Sequence, residues 1–159
     1  MLYPMLLKAD FERLPQVLRE FHSAPQGGRA KGRVTVRHES RWARLMGLPP
    51  AGDGIPVLLE VLATERKEVW VRHFGSAVRR SVQTAEGDLM VEAMGPVRIF
   101  FRLFADHEGL RFVSERACLW RIPLPLRVVA AARGQESSWE FEVTVGGVGS
   151  YRGSMEPCK

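Results

Sequence analysis

Several charged side chains sit in the middle of runs that otherwise read as buried β-strand. Arg72 and His73 lie within residues 68–74, Glu92 within 89–94, Arg102 within 97–104, and Glu115 and Arg116 within 110–120. An arginine turned into the interior of a closed sheet needs a partner, because an unpaired buried charge is strongly disfavoured. Opposite Glu92 or Glu115, an inward Arg72 or Arg102 forms either a structural ion pair or a polar anchor for the carboxylate or phosphate of a ligand. Tyr151 can add a hydroxyl at the same place. Glu92, His73 and Tyr151 are also residue types that serve as general acids and bases. The plainer alternative is that all of these residues form the wet face of a half-exposed sheet. Arg72, Glu92, Arg102, Tyr151 and His73 are therefore the ligand-binding candidates.

No cofactor is expected. The sequence has no phosphate-cradling glycine motif, no Cys-x-x-Cys pair and no Gly-x-Ser-x-Gly elbow. Its four histidines, His22, His38, His73 and His107, have no metal-ligand spacing, so no metal is expected either. Cys118 and Cys158 make no disulfide framework. The net charge is +5, but the arginines are spread singly and the longest basic cluster is Arg79-Arg80. With no reader motif, nucleic-acid binding is not expected. No stretch approaches the roughly 20 apolar residues of a membrane span. The opening residues lack the basic start and cleavage site of a signal peptide. A cytoplasmic location follows as an expectation, and 159 residues predict a single domain, 1–159.

The elements that must position the candidates read as follows. Residues 10–22 carry Phe11, Leu14, Val17, Leu18 and Phe21 at helical spacing, which predicts one amphipathic helix with Pro15 bending it. Ser40–Met46 reads as a helical turn or two. From residue 33 onward the pattern is strand after strand: 33–38, 57–64, 68–74, 77–84, 89–94, 97–104, 110–120, 139–145 and 148–155, with 126–133 assigned to strand because Val128-Val129 is β-branched. About nine or ten antiparallel strands with short turns imply a curved meander sheet or barrel, mainly β. No βαβ alternation supports a parallel sheet, and no long C-terminal helix supports a helix-grip fold. The hairpin formed by 97–104 and 110–120 is apolar on both faces, so its facing decides the reading. With Phe100, Arg102 and Phe104 inward, the barrel holds a polar-anchored cavity. With Ile99, Phe101 and Leu103 inward, it holds a plain core.

Five landmarks resemble a bacterial family catalogued as domain of unknown function 4166. They are the lead-in Leu2–Pro15, the Trp70-x-Arg72-x-Phe74-Gly75 strand, Glu92-x-x-Gly95-Pro96, the corner Ile122-Pro123-Leu124-Pro125, and the ending Tyr151-Arg152-Gly153-x-x-Glu156-Pro157. Arg121 stands where the family pattern has glycine before that corner. The resemblance implies a domain that occurs alone or joined to dinucleotide-binding oxidoreductase modules, and with it the expectation of an oxidoreductase partner. It makes Arg72, Glu92 and Tyr151 the transferable site residues. Three functions remain open at this point: a module binding a small apolar or amphipathic molecule, a cofactor-independent isomerase, cyclase or hydrolase using the same cavity, and an accessory domain that docks on a protein.

Overall fold

The chain closes on itself as a barrel. In the computed structural model, which describes residues 1–44 and 46–158, the strands are β1 Arg29–His38, β2 Gly52–Ala63, β3 Lys67–Phe74, β4 Ala77–Glu86, β5 Leu89–Met94, β6 Val97–Ala105, β7 Gly109–Leu119, β8 Ile122–Leu124, β9 Val128–Gly134, β10 Trp139–Val145 and β11 Gly149–Pro157. Apart from the step from β8 to β9, each pairs antiparallel with its neighbour in the chain. β11 returns to pair with β1, and β6 pairs with β7, so ten strands form a closed ring. The predicted mainly β meander is therefore a closed up-and-down barrel.

The eleventh strand, β8, shares with β9 one edge of β7: Ala117 pairs with Leu124, and Val113 with Val129. The pair would be a single strand were it not for Pro123-Leu124-Pro125. Proline has no N–H to give the ladder, and pairing lapses opposite Ser114–Arg116. At that point β7 bulges, because Phe100 pairs with Arg116 and Phe101 with Ser114, leaving Glu115 extra. The Ser114 hydroxyl repairs the gap by accepting the Val128 N–H at 2.8 Å. Residues 128–134 are strand, as expected from their β-branched residues.

First and last strands close the barrel through glycine. A Cβ on Gly32 would lie 1.8 Å from the Ser154 carbonyl oxygen, and one on Gly153 2.1 Å from that of Arg33. Only a residue without a side chain allows β1 and β11 to approach that closely.

The helical segment departs from expectation. Instead of one helix over 10–22 there are α1 Leu2–Leu7, a 3₁₀ helix Lys8–Arg13, and α2 Gln16–Ser23. Pro15 is the cause. The residue before a proline is sterically disfavoured in the α region, and Leu14 is extended at φ −60°, ψ 146°. Pro15 then serves as the N-cap of α2, its carbonyl accepting the Leu18 and Arg19 N–H groups at 3.1 and 3.0 Å. The apolar face is still present, for Phe11, Leu14, Val17, Leu18 and Phe21 are all buried. The lead-in is also part of the core: Leu2 and Tyr3 have no exposed surface. These helices cover the barrel end where β2 joins β3 and β9 joins β10. The opposite end carries residues 39–51, where Ala43 N–H bonds Ser40 O and Met46 N–H bonds Trp42 O. Leu45 of the expected 40–46 segment lies outside the described residues.

The decisive hairpin faces with Ile99, Phe101 and Leu103 packed in the core and Arg102 and Phe104 exposed. Phe100 points outward yet is buried. It packs beside its neighbour Val91 under two guanidinium groups, with Arg98 and Arg116 at 5.0 and 3.9 Å from its ring. This is why aromatic residues fall on both faces of β6.

Candidate functional site

Alternation along β3 sends Glu68, Trp70, Arg72 and Phe74 into the barrel and Val69, Val71 and His73 to its outside. The same parity on the paired strands brings Ser81 and Gln83 of β4 and Glu92 of β5 inward beside them. Across the interior lie Ala130 and Ala132 of β9 and Phe141 and Val143 of β10, with Tyr151 on β11. Between these walls is a cavity of about 180 Å³. Leu18, Phe21 and His22 of α2 close one end of it, and Leu48 and Pro49 close the other. The second closure is tethered, since Arg79 donates from Nε to the Gly47 carbonyl at 3.1 Å and from Nη2 to that of Leu48 at 3.3 Å. Room exists because β9 presents two alanines where β3 and β10 present aromatic rings.

The polar centre is a closed triangle. Arg72 Nη2 meets Glu92 Oε1 at 2.9 Å, Arg72 Nη1 donates to Ser81 Oγ at 2.8 Å, and Ser81 Oγ donates to the same Glu92 oxygen at 2.6 Å. The guanidinium also lies 4.8 Å from the Trp70 ring. Burial acts to lower the Arg72 pKa, but the Glu92 carboxylate, by its charge and its hydrogen bond, holds it above its ordinary value. Tyr151 packs edge-on against Phe74 and Phe141, with ring centroids 5.9 and 6.2 Å away. Burial raises its pKa, opposed by Arg72 and aided by Glu92, so its hydroxyl is neutral.

A second polar group lies beneath the helices. Tyr3 of α1 donates to Gln83 Oε1 at 2.8 Å, and Trp70 Nε1 donates to Glu68 Oε2 at 2.9 Å. Burial pushes the Glu68 pKa up to about 7. The His22 ring centroid lies 3.9 Å from that of Tyr3 and 6.0 Å from that of Trp70. Burial lowers its pKa to about 3, so it stays neutral. No fully enclosed side-chain polar atom among the described residues lacks a hydrogen-bond partner. The His22 nitrogens and the Tyr151 hydroxyl bond to no described residue, and both residues line the cavity.

Of the five candidates, Arg72, Glu92 and Tyr151 come together at this cavity. The other two do not. Arg102 is outside, where it pairs with the bulged Glu115, and His73 is outside, 3.1 Å from Glu60. Both fall on the wrong parity of their strands. The two outcomes posed for the 97–104 hairpin also prove to be a false choice: β6 supplies plain core, and β3 to β5 supply the polar anchor. The sequence reading missed Glu68, Trp70, Ser81 and Gln83. Glu68 and Trp70 share parity with Arg72 within one strand, so they were legible once Arg72 was placed inward. Tyr3 and His22 come from the helices, and nothing in the sequence pointed to them. Among the described residues, no three His, Cys, Asp or Glu side chains gather as a metal site, and no helix is long and apolar enough to cross a membrane.

No curated protein matches the chain. Among solved structures it is similar to the crystal structure of a point mutant of the fluorescent protein UnaG, at 15% identity and a TM-score of 0.47 over 83% of this chain and 95% of that one. Residues 14–155 match the model of a domain of unknown function, DUF4166, and the chain belongs to that family.

Proposed function

We propose that the barrel is a binding module for a small, largely apolar molecule, held in the cavity with its polar end near Arg72, Glu92 and Tyr151. The observation that carries this reading is the combination of a largely apolar space inside the barrel with polar atoms left over at its surface. A barrel built only for stability fills its interior with side chains, as small barrels do. Here Ala130 and Ala132 leave the interior open, while the Tyr151 hydroxyl and the His22 ring carry hydrogen-bonding capacity that no described residue uses. Few convergent polar groups in an apolar pocket is the ordinary make-up of a small-molecule site. The volume of about 180 Å³ sets the scale, since an apolar cavity of about 150 Å³ holds benzene. A larger occupant requires α2 or the 46–49 segment to move.

An enzyme using the same space is the weaker reading. Of its acid/base candidates, His73 lies outside and Glu92 is committed to Arg72 and Ser81. The proposal keeps the cytoplasm as the working compartment and an oxidoreductase as the partner served, both on the strength of sequence composition and family resemblance.

Native mass spectrometry of the purified protein tests the reading. The expected result is a co-purified molecule, absent after Ala132→Leu fills the space. Ligand-free spectra, together with no binding of small aromatic probes to the unaltered protein, would remove it.

A further inference from the structure

Resting on that binding reading, we infer that the cavity selects a ligand whose polar end is uncharged, such as an alcohol, ketone or amide, and rejects a carboxylate, phosphate or ammonium end. The presence of an arginine in an apolar pocket suggests the reverse, an anion site. The geometry removes that option. Arg72 already faces a carboxylate 2.9 Å away, and Ser81 binds both partners. The pair therefore enters the cavity as a dipole with no net charge. Both members are largely withdrawn from solvent, at 18% and 13% side-chain exposure.

An anion brought beside this pair would make a cluster of two negative groups and one positive group in a space with little water. A cation would make the opposite imbalance. Each would give up its hydration beside a pair whose charges already satisfy one another, which is an unfavourable way to bury an ion. Among the described residues, the facing wall adds no compensating charge. It consists of alanine, valine, leucine, isoleucine and aromatic side chains from β6, β7, β9 and β10. Arg79, opposite Arg72 on β4, also reaches the cavity and keeps its positive charge, but its three nitrogens donate to the Gly47, Val78 and Leu48 carbonyls rather than toward a ligand.

What the cavity does offer is neutral hydrogen bonding. The Tyr151 hydroxyl both donates and accepts, and a neutral imidazole at His22 has one nitrogen of each kind. A hydroxyl, carbonyl or amide matches either without leaving a buried charge unpaired. A site that hydrogen-bonds its ligand in this way discriminates strongly, because a mismatched group leaves buried polar atoms without partners.

Three probes with one apolar body separate the cases: benzyl alcohol, benzoate and benzylammonium, titrated by NMR into the unaltered protein at pH about 7.5, where benzoate and benzylammonium are charged. The alcohol is expected to bind about tenfold or more tightly than either ion. Benzoate binding as well as or better than benzyl alcohol would overturn the inference while leaving the cavity a binding site. Failure of all three to bind would remove the binding reading and the inference with it. Glu92→Gln supplies the second arm. It frees the Arg72 charge but keeps a hydrogen-bonding side chain, so the preference is expected to shift toward benzoate by about tenfold. An unchanged preference in a folded Glu92→Gln protein would count against the charge balance as its cause.

Discussion

Among the arginine–glutamate pairs of this sheet, Arg72–Glu92 and Arg102–Glu115 differ in which side of the wall they occupy. Arg72 and Glu92 lie inside the barrel with 18% and 13% of their side chains exposed. Arg102 and Glu115 lie outside with 46% and 40%. Both pairs are cross-strand contacts of the same chemistry, and in the sequence both sit among apolar residues. The contrast teaches that parity along a strand sets the worth of an ion pair. Outside, water screens the charges and hydrates either one alone. Inside, each charge depends on the other, and Ser81 completes the hydrogen bonding.

The sharpest way to break the comparison is to remove one inner charge. Arg72→Met leaves Glu92 facing an apolar cavity, and the expected loss of folding stability is about 3–5 kcal/mol, read from urea unfolding. Replacing the whole pair, as in Arg72→Met with Glu92→Leu, is expected to recover most of that loss, since a buried pair exchanged for apolar groups of like volume is often near neutral. A single variant that loses under about 1 kcal/mol would mean that the inner pair is as well hydrated as the outer one.

Proton binding extends the contrast to the rest of the interior. Glu68, with a pKa of about 7 against an ordinary 4.5, keeps a proton that the unfolded chain releases. Its contribution therefore makes stability fall as pH rises from about 4.5 to 7. His22, at about 3 against an ordinary 6.5, refuses a proton that the unfolded chain takes up, so its contribution makes stability fall as pH drops from 6.5 toward 3. Between about 4.5 and 6.5 the two slopes oppose each other, each about 1.4 kcal/mol per pH unit, and cancel. Glu68→Gln keeps an acceptor for the Trp70 indole and removes one slope. Its stability relative to the parent protein is expected to rise with pH across that window by roughly 2–3 kcal/mol. A flat difference would show that water reaches Glu68.

Tyr151→Phe is a smaller change. The hydroxyl makes no bond to a described residue, so stability is expected to move by less than about 1 kcal/mol. Affinity for benzyl alcohol is expected to fall by about three- to tenfold, a loss of one hydrogen bond. Equal affinity in the two proteins would transfer the anchoring role to His22 or to the Arg72–Glu92 dipole.

Much of the barrel was legible because period-2 alternation and short turns are local signals. The strands over 67–74, 77–86, 89–94 and 139–145 all lie within two residues of their expected bounds. The segmentation of the helix was partly legible. Pro15 marks a disturbance, but a bend and a break differ by whether Leu14 stays helical, and that depends on Leu14 being needed in the core. The facing of each strand was not legible. Val97–Phe104 has apolar residues at both parities, because Phe100 is covered from outside by Arg98 and Arg116, contacts made across strands that periodicity does not register. His73 and Arg72 are adjacent in sequence, so one of them had to point outward. Trp70 and Phe74 sharing parity with Arg72 was the clue that it was the arginine that faced in.

The outer pair supplies the smallest effect and the control for all the others. Arg102→Gln removes a charge from the barrel exterior while the bulge at Glu115 is held by backbone pairing on both sides of it. Glu115 then faces water and needs no partner. The expected loss is about 0–1 kcal/mol, and it should shrink further in about 1 M salt, where the screening length is about 3 Å. Arg72→Met, by contrast, should keep most of its cost at that salt concentration, because the inner pair is largely withdrawn from solvent and screened less. A loss at Arg102 that matched the one at Arg72, or persisted undiminished in salt, would mean that the barrel wall does not divide the two pairs and that strand parity is not what sets their worth.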